Sequence, residues 1–381
     1  TVPYLYVFPS DETSIEVFSN AFFSSAAGFT TGGISLFDEP ENLTQSFTFY
    51  RSYTQLVGGM SFIYLVITAF YPESKLQSMR GFISGRTLHM KELFLTITVI
   101  FAVYIVIVAV LLYLFGSRNP IDDFSPEHLI DNFSLAMSTL ATGGFTPTST
   151  ILDDLLWQEH IILMGAMILG ALPFTFHYAF VRKKFLAPKL GKEVLTYFAI
   201  LGSATILFIL ISGLDPLQSA FYSVSASTTA GLQQESLAGL NGGAHTILII
   251  LMFIGGCGFS TAGGLKIFRL FHLQNCRSFF SKIKRQELSV QSKKELMSTL
   301  IILALFPTIS AITGAHLAAI ENVPFQDAFF EAAGVITTGG LTAGVIDFDT
   351  DPATKIVLGF LMIFGRLEII AIIYIFVPKL S

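Results

Sequence analysis

Four times in its 381 residues this chain runs a short, aromatic-rich segment into the same awkward turn, a threonine followed two positions later by glycine. The turns read "TTGG" (30–33), "ATGG" (141–144), "TTAG" (228–231) and "TTGG" (337–340). The segments ahead of them are "VFSNAFFSSAAGF", "LIDNFSLAMSTL", "LQSAFYSVSAS" and "FQDAFFEAAGVI". Internal repetition outranks local propensity as a guide to architecture, because missing it misreads the whole fold. Crossing a bilayer takes about 20 apolar residues, and these amphipathic segments run only 11–13. They predict helices that enter something and stop.

What they enter follows from composition. Hydrophobic residues make up 52% of the chain and charged residues 13%, with a mean hydropathy of +0.66. A soluble domain carries about 25% charged residues. Apolar runs near 52–71, 93–115, 160–181, 194–213, 245–271, 296–319 and 354–377 are long enough to span. The chain therefore reads as an all-α polytopic membrane protein with a repeating unit of span, short helix, glycine turn and span. Its boundaries fall at 1–75, 76–192, 193–292 and 293–381. The first unit has no span ahead of Asp11, so the natural chain is expected to carry a further N-terminal part.

A half-length helix followed by extended backbone is tolerated at membrane depth only where it is buried in protein or lines a water-filled cavity. Four copies around one axis would make a ring. Glycine accepts positive φ and lets successive carbonyls turn toward that axis, and rings of carbonyl oxygens replace the hydration shell in potassium filters. The C-terminal ends of the short helices would add partial negative charge there. The candidate filter is Thr31, Gly32 and Gly33; Thr142, Gly143 and Gly144; Thr229, Ala230 and Gly231; and Thr338, Gly339 and Gly340. The backbone of Thr31, Thr142, Thr229 and Thr338 is the expected K+ site. Small residues that merely allow close helix packing are the alternative, but four copies, each ending a non-spanning helix, favour a pore.

Charge is sorted between the two faces. Residues 72–92, 182–193 and 266–295, with Lys379, hold 18 of the 22 Lys and Arg, which marks that face as cytoplasmic. The opposite loops carry acids such as Asp38, Glu41, Asp347 and Asp351, and such a vestibule concentrates cations. The basic stretch Lys282, Lys284 and Arg285, with Lys293 and Lys294, is the expected surface for a cytosolic partner, with anionic lipid as the alternative.

Two features stand out inside the spans. "GGCGFSTAGG" (255–264) has five glycines in ten residues, each costing about 1 kcal/mol in a helix. It predicts a mid-membrane break, either an ion-path gate or a packing kink. It is no phosphate loop, since Lys266 is followed by Ile267 rather than Ser or Thr. Arg366 falls inside the last span, where a charge costs about 3 kcal/mol. The candidate gate is Gly255, Gly256, Gly258, Gly263, Gly264 and Arg366, the alternative for Arg366 being a buried structural ion pair. Arg51, at the outer start of the second span beside Gln55, reads as interfacial snorkelling.

These motifs together resemble the TrkH/KtrB branch of a superfamily of potassium transporters that includes fungal Trk and plant HKT proteins. "AAGFTTGG" (26–33), "LATGGFT" (140–146), "STTAGL" (227–232) and "ITTGGL" (336–341) carry the resemblance, with "QLVGGM" (55–60), "GGCGFSTAGGLK" (255–266) and "FGRLE" (364–368). The resemblance implies four units of outer helix, pore helix and inner helix in pseudo-fourfold symmetry. It implies potassium uptake across a prokaryotic cell membrane, with residues 255–264 as the intramembrane gating loop. It further implies a homodimer that docks a nucleotide-binding cytosolic ring of the TrkA/KtrA type. The alternative is a sodium-permeable or sodium- or proton-coupled cation transporter of the same superfamily. Glycine at Gly33, Gly144, Gly231 and Gly340 favours potassium.

Other classes fare worse. The charges that stand out deep in the spans are Arg366 and Glu368, which argues against an intramembrane enzyme needing paired acids or metal ligands. The seven histidines show no metal spacing, and Cys257 and Cys276 offer no outer disulfide framework. No organic cofactor and no nucleic-acid partner is expected, and membrane lipid is the surrounding medium.

Overall fold

The computed structural model of the protein describes residues 1–8, 13–70, 90–116, 126–153, 155–181, 188–274 and 290–367. Among them no residue is in a β-strand. Four helices precede the glycine turns: α1 (Ser14–Phe29), α4 (Pro126–Leu140), α8 (Pro216–Thr228) and α12 (Phe325–Thr337). Their starts are written in the sequence. Thr13 and Glu16 cap α1 reciprocally. Pro126 and Pro216 open α4 and α8, Pro324 caps α12, and Asp215 accepts from the Leu217 N–H. α1 and α4 run 16 and 15 residues, longer than their sequence segments. At 1.5 Å per residue even α1 stays short of the ~30 Å hydrocarbon core.

The long helices are α2 (Gln45–Phe70), α3 (Met90–Phe115), α7 (Pro188–Ser212) and α11 (Val290–Ile320). Three stretches, Phe94–Phe115, Gly191–Ser212 and Thr299–Ile320, are long and apolar enough to cross a membrane. Less than half of each stretch is buried, and side chains such as Leu195, Leu210 and Ile312 are well exposed. Apolar surface on this scale is what lipid covers.

The expected span 160–181 is not one helix. α5 (Trp157–Ala171) and α6 (Phe174–Val181) meet at 104°. Pro173 is the cause: it disfavours helical ψ at the preceding residue, and Leu172 is extended at ψ 152. The freed Phe174 N–H donates to the Phe259 carbonyl at 3.0 Å. The apolar run 245–271 breaks as its glycines predict, into α9 (Gly242–Ile254) and α10 (Ile267–Gln274). The last helix among the described residues, α13 (Pro352–Arg366), ends at Arg366, and residues 368–377 of the expected span, with Glu368, lie outside them.

Packing follows a rule. α4 touches α2, α3 and α5; α8 touches α5, α7 and α9; α12 touches α9, α11 and α13; α1 touches α2 and α13. Glycine makes the closest approaches. A Cβ on Gly58, Gly170 or Gly365 would overlap the carbonyl of Phe29, Leu140 or Ile336 respectively. Each of those carbonyls sits two residues before the threonine of a turn. Apolar burial does not drive helices together in lipid, so this contact of small residues is what lets them pack.

Candidate functional site

The four turns share one hydrogen-bond scheme. The N–H of Thr31, Thr142, Thr229 and Thr338 donates three residues back, to Gly28, Thr139, Ala226 and Val335. The next N–H, of Gly32, Gly143, Ala230 and Gly339, donates five residues back, to Ala27, Ser138, Ser225 and Gly334. This is the Schellman closure, which satisfies a helix's last carbonyls through a left-handed residue. Glycine usually fills that position. Here it is threonine each time, at φ between 51° and 57°. A β-branched residue there costs about 1–2 kcal/mol, and four such residues at equivalent places mark the turns as the candidate site.

The glycines two residues on are also left-handed, Gly33 at φ 73°, Gly144 at 85°, Gly231 at 70° and Gly340 at 69°. They are where the turns meet. A Cβ on Gly33 would lie 2.5 Å from the Gly143 carbonyl oxygen, and one on Gly144 2.6 Å from that of Ala230. One on Gly231 would lie 3.1 Å from the Gly339 oxygen, and one on Gly340 3.0 Å from that of Gly32. Each turn thus presents its third-position carbonyl to the glycine of the preceding turn, and the sequence of contacts returns to its start. All twelve candidate filter residues are drawn together, and no side chain fits at the glycines.

The break at 255–264 lies where the short helices end. The Gly263 N–H donates to the Thr229 hydroxyl at 2.5 Å, and the Gly264 N–H to the Thr337 carbonyl at 3.1 Å. The Thr261 hydroxyl reaches the carbonyls of Leu140 and Gly170, and its methyl faces Gly59 of α2. Arg366, buried at the end of α13, donates from Nη2 to the Thr261 carbonyl at 2.6 Å and lies 4.8 Å over the Phe62 ring. Gly255 and Gly264, both at positive φ, pack on each other, and a Cβ on Gly256 would strike Ala262. The structure therefore joins all six candidate gate residues in one body.

A family model described as TrkH, cation transport protein, matches residues 4–211 and 195–381. The chain belongs to the TrkH family. An uncharacterized cation transporter of Methanocaldococcus jannaschii is 26% identical over 95% of this chain and 77% of its own. The Trk system potassium uptake protein TrkH of Escherichia coli K12 is 26% identical over 94% and 79%. The crystal structure of the potassium transporter TrkH from Vibrio parahaemolyticus superposes with a TM-score of 0.74 at 23% identity, covering 95% of this chain and 79% of that one. That likeness establishes the helical fold.

Three residues that brace the turns of this TrkH-family chain escape a reading of its sequence. Arg51 does not snorkel. It is 1% exposed, donates to the Ser35 hydroxyl at 2.6 Å, and lies between the rings of Phe37 and Phe145 at 4.9 and 4.5 Å. Those groups follow the first and second turns, so a guanidinium that looks interfacial in sequence joins two walls. One helical turn on, Gln55 donates to the Gly143 carbonyl at 2.6 Å and accepts from the Phe145 N–H at 3.3 Å. Glu331, buried in α12, accepts from the Thr342 hydroxyl and the Ala343 N–H, while the Thr342 N–H donates to Gln233 beyond the third turn. Lys355 is likewise buried, on Asn20 and the Phe348 carbonyl. Glu331 and Lys355 therefore add to Arg366 as buried ionisable groups. The signal for Glu331 was a lone acid in "FFEAAG"; Arg51 and Gln55 gave none.

The candidate partner surface Lys282, Lys284 and Arg285 lies outside the described residues; Lys293 and Lys294 belong to α11. Among the described residues no group of three His, Cys, Asp or Glu is placed to hold a metal ion.

Proposed function

We propose that this chain is the conducting subunit of a potassium-uptake system in a prokaryotic cell membrane, crossing it several times. In this reading its four units stand in pseudo-fourfold order around an axis through the turns. K+ passes at the backbone of Thr31, Thr142, Thr229 and Thr338. The observation that carries the reading is the closed cycle of contacts among Gly33, Gly144, Gly231 and Gly340. In an extended strand successive carbonyls alternate sides; left-handed residues two apart interrupt that alternation and free carbonyls for one axis. The names of relatives that are potassium uptake proteins support the choice of ion.

The loop 255–264 and Arg366 form the gate in this proposal. Backbone at 255–264 obstructs the path, and the guanidinium adds a fixed positive charge. A unit charge about 4 Å from a passing cation raises its energy by about 4 kcal/mol at an effective dielectric of 20, which slows passage about a thousandfold. A homodimer docked on a cytosolic nucleotide-binding ring would supply the control, through basic segments that include Lys293 and Lys294.

Flux into proteoliposomes tests both parts. Uptake should favour potassium over sodium, and equal permeation would replace the potassium reading with the sodium-permeable one. Deleting Gly256–Gly258, or Arg366→Ala, should raise potassium flux per folded molecule without the partner ring, with selectivity kept. The double change should add little to the larger single one, because both act on one barrier. A fall in flux for both would mean that loop and arginine support conduction instead.

A further inference from the structure

The break between α9 and α10 is held by its backbone N–H groups. Cys257 donates to the Ala171 carbonyl, Thr261 to Gly170, Gly264 to Thr337 and Ile267 to Gly256, all onto backbone, and Gly263 donates to the Thr229 hydroxyl. Gly258 differs from these in meeting a carboxylate. Its N–H donates to Oε1 of Glu193 at 2.6 Å, across 65 residues of sequence. A hydrogen bond to a carboxylate is shorter and about twice as strong as one to a neutral acceptor. From the other flank the buried Lys266 ammonium closes on the Ala262 carbonyl.

Glu193 is out of character for its helix. α7 turns Leu195, Phe198, Ile206 and Leu210 outward, all well exposed, and has the surface of a lipid-facing span. An acid carried into such a helix and aimed at the protein interior is kept for a purpose. It sits five residues into α7, next to Lys192 and close to Lys189, on the basic face.

We propose that Glu193 is a positioning residue that latches residues 255–264 in the obstructing position, so that a shift of the basic end of α7 releases them. The latch rests on the gate reading above and adds to it the helix through which release is transmitted. Because the carboxylate touches Gly258 and no candidate filter residue, its loss should free the loop while the four turns keep their shape.

The test reads loop and flux separately, in the full-length chain with Cys276→Ser, reconstituted without a partner ring. Cys257, fully buried beside Gly258, reports the loop through its rate of maleimide labelling. Glu193→Ala removes the acceptor, and Glu193→Asp keeps the charge but loses reach. Both should speed labelling and potassium flux per folded molecule about tenfold, the worth of one charge-assisted hydrogen bond. Glu193→Gln keeps an acceptor and should fall between them and the parent. Potassium-to-sodium preference should not move. If Glu193→Ala fails to fold, Glu193→Asp carries the test. Unchanged labelling and flux in the folded variants would overturn the latch, as would reduced flux without rescue by glutamine. Faster labelling with unchanged flux would overturn the gate reading and leave Glu193 as the anchor of a loop that obstructs nothing.

Discussion

The four turns and the loop at 255–264 are both built on glycine, yet the bonds that hold them run to opposite kinds of partner. Each turn closes on its own helix through donors reaching three and five residues back. Besides bonds to its own flanks, such as Ile267 to Gly256, the loop closes on other helices, from Gly263 to Thr229 at a separation of 34 residues to Arg366 on Thr261 at 105. A locally closed turn forms with its helix and is lost only with it. A segment held by distant partners can be released while those partners stay folded, and moving parts are drawn from such elements. In the proposed reading the difference divides the tasks between rigid walls that select and a strap that opens.

The sharpest break of that comparison is Gly231→Ser. A Cβ there would stand 2.7 Å from the Gly340 Cα and 2.8 Å from its carbonyl carbon, at φ 70°. Backbone must shift, so two walls deform together. The potassium-over-sodium flux ratio should fall at least about tenfold, the effect of about 1.4 kcal/mol of lost discrimination, with thermal stability falling too. Gly239→Ser is the control. Its φ is 85° but nothing lies within 4 Å, so it carries only the left-handed penalty of about 1 kcal/mol. A flux ratio that survives in Gly231→Ser would remove this glycine from the filter.

Next in size is Gln55→Leu, which keeps the bulk of the side chain and deletes both its bonds. The Gly143 carbonyl and Phe145 N–H then stand buried without their partner, at about 1–3 kcal/mol each. Selectivity should fall, by less than in Gly231→Ser, because the wall loses a brace and gains no clash. Cys257 labelling should stay at the parent rate, since the loop makes no bond to Gln55. Faster labelling would show that walls and loop are one mechanical unit, and the comparison would fail.

How far the sequence reveals this site follows the same division. The four turns are legible because local closure writes itself locally: a helix, a threonine, then glycine two residues on. The break at 255–264 is legible from glycine density alone. The Leu172–Pro173 break had its signal in Pro173, outweighed by the unbroken hydropathy around it. What could not be read are the braces. Arg51 meets Ser35, Phe37 and Phe145, and Gln55 meets Gly143, across as many as 94 residues of sequence. An arginine near the start of a span has the same local surroundings whether it points to water or between two aromatic rings. Glu193 hides for the same reason, as an acid in a basic stretch whose partner is a backbone N–H 65 residues on.

The smallest expected effect comes from the loops that follow the turns, where the walls are tied at the surface. Glu41 accepts from the Ser149 hydroxyl at 2.6 Å and from the Ser149 N–H at 2.9 Å, joining the loop after the first turn to that after the second. Burial pushes its carboxyl up, and the two Ser149 hydrogen bonds together with one from its own backbone N–H outweigh this, so its pKa lies below the ordinary 4.5. A depressed carboxylate pKa contributes stability above the unfolded value, lost as pH falls through the folded one. Glu41→Gln should therefore lower the melting temperature in detergent slightly at neutral pH, since an exposed, solvent-screened contact is worth under about 1 kcal/mol. The two melting curves should converge as pH drops below 4.5, where the parent carboxylate protonates and loses the same advantage. Ion preference should not change, because Glu41 holds the loops and not the turns. A constant difference in melting temperature across that window would mean that shape, not charge, makes the tie. A changed ion preference would place these loops in the filter's mechanics and blur the line between walls and strap.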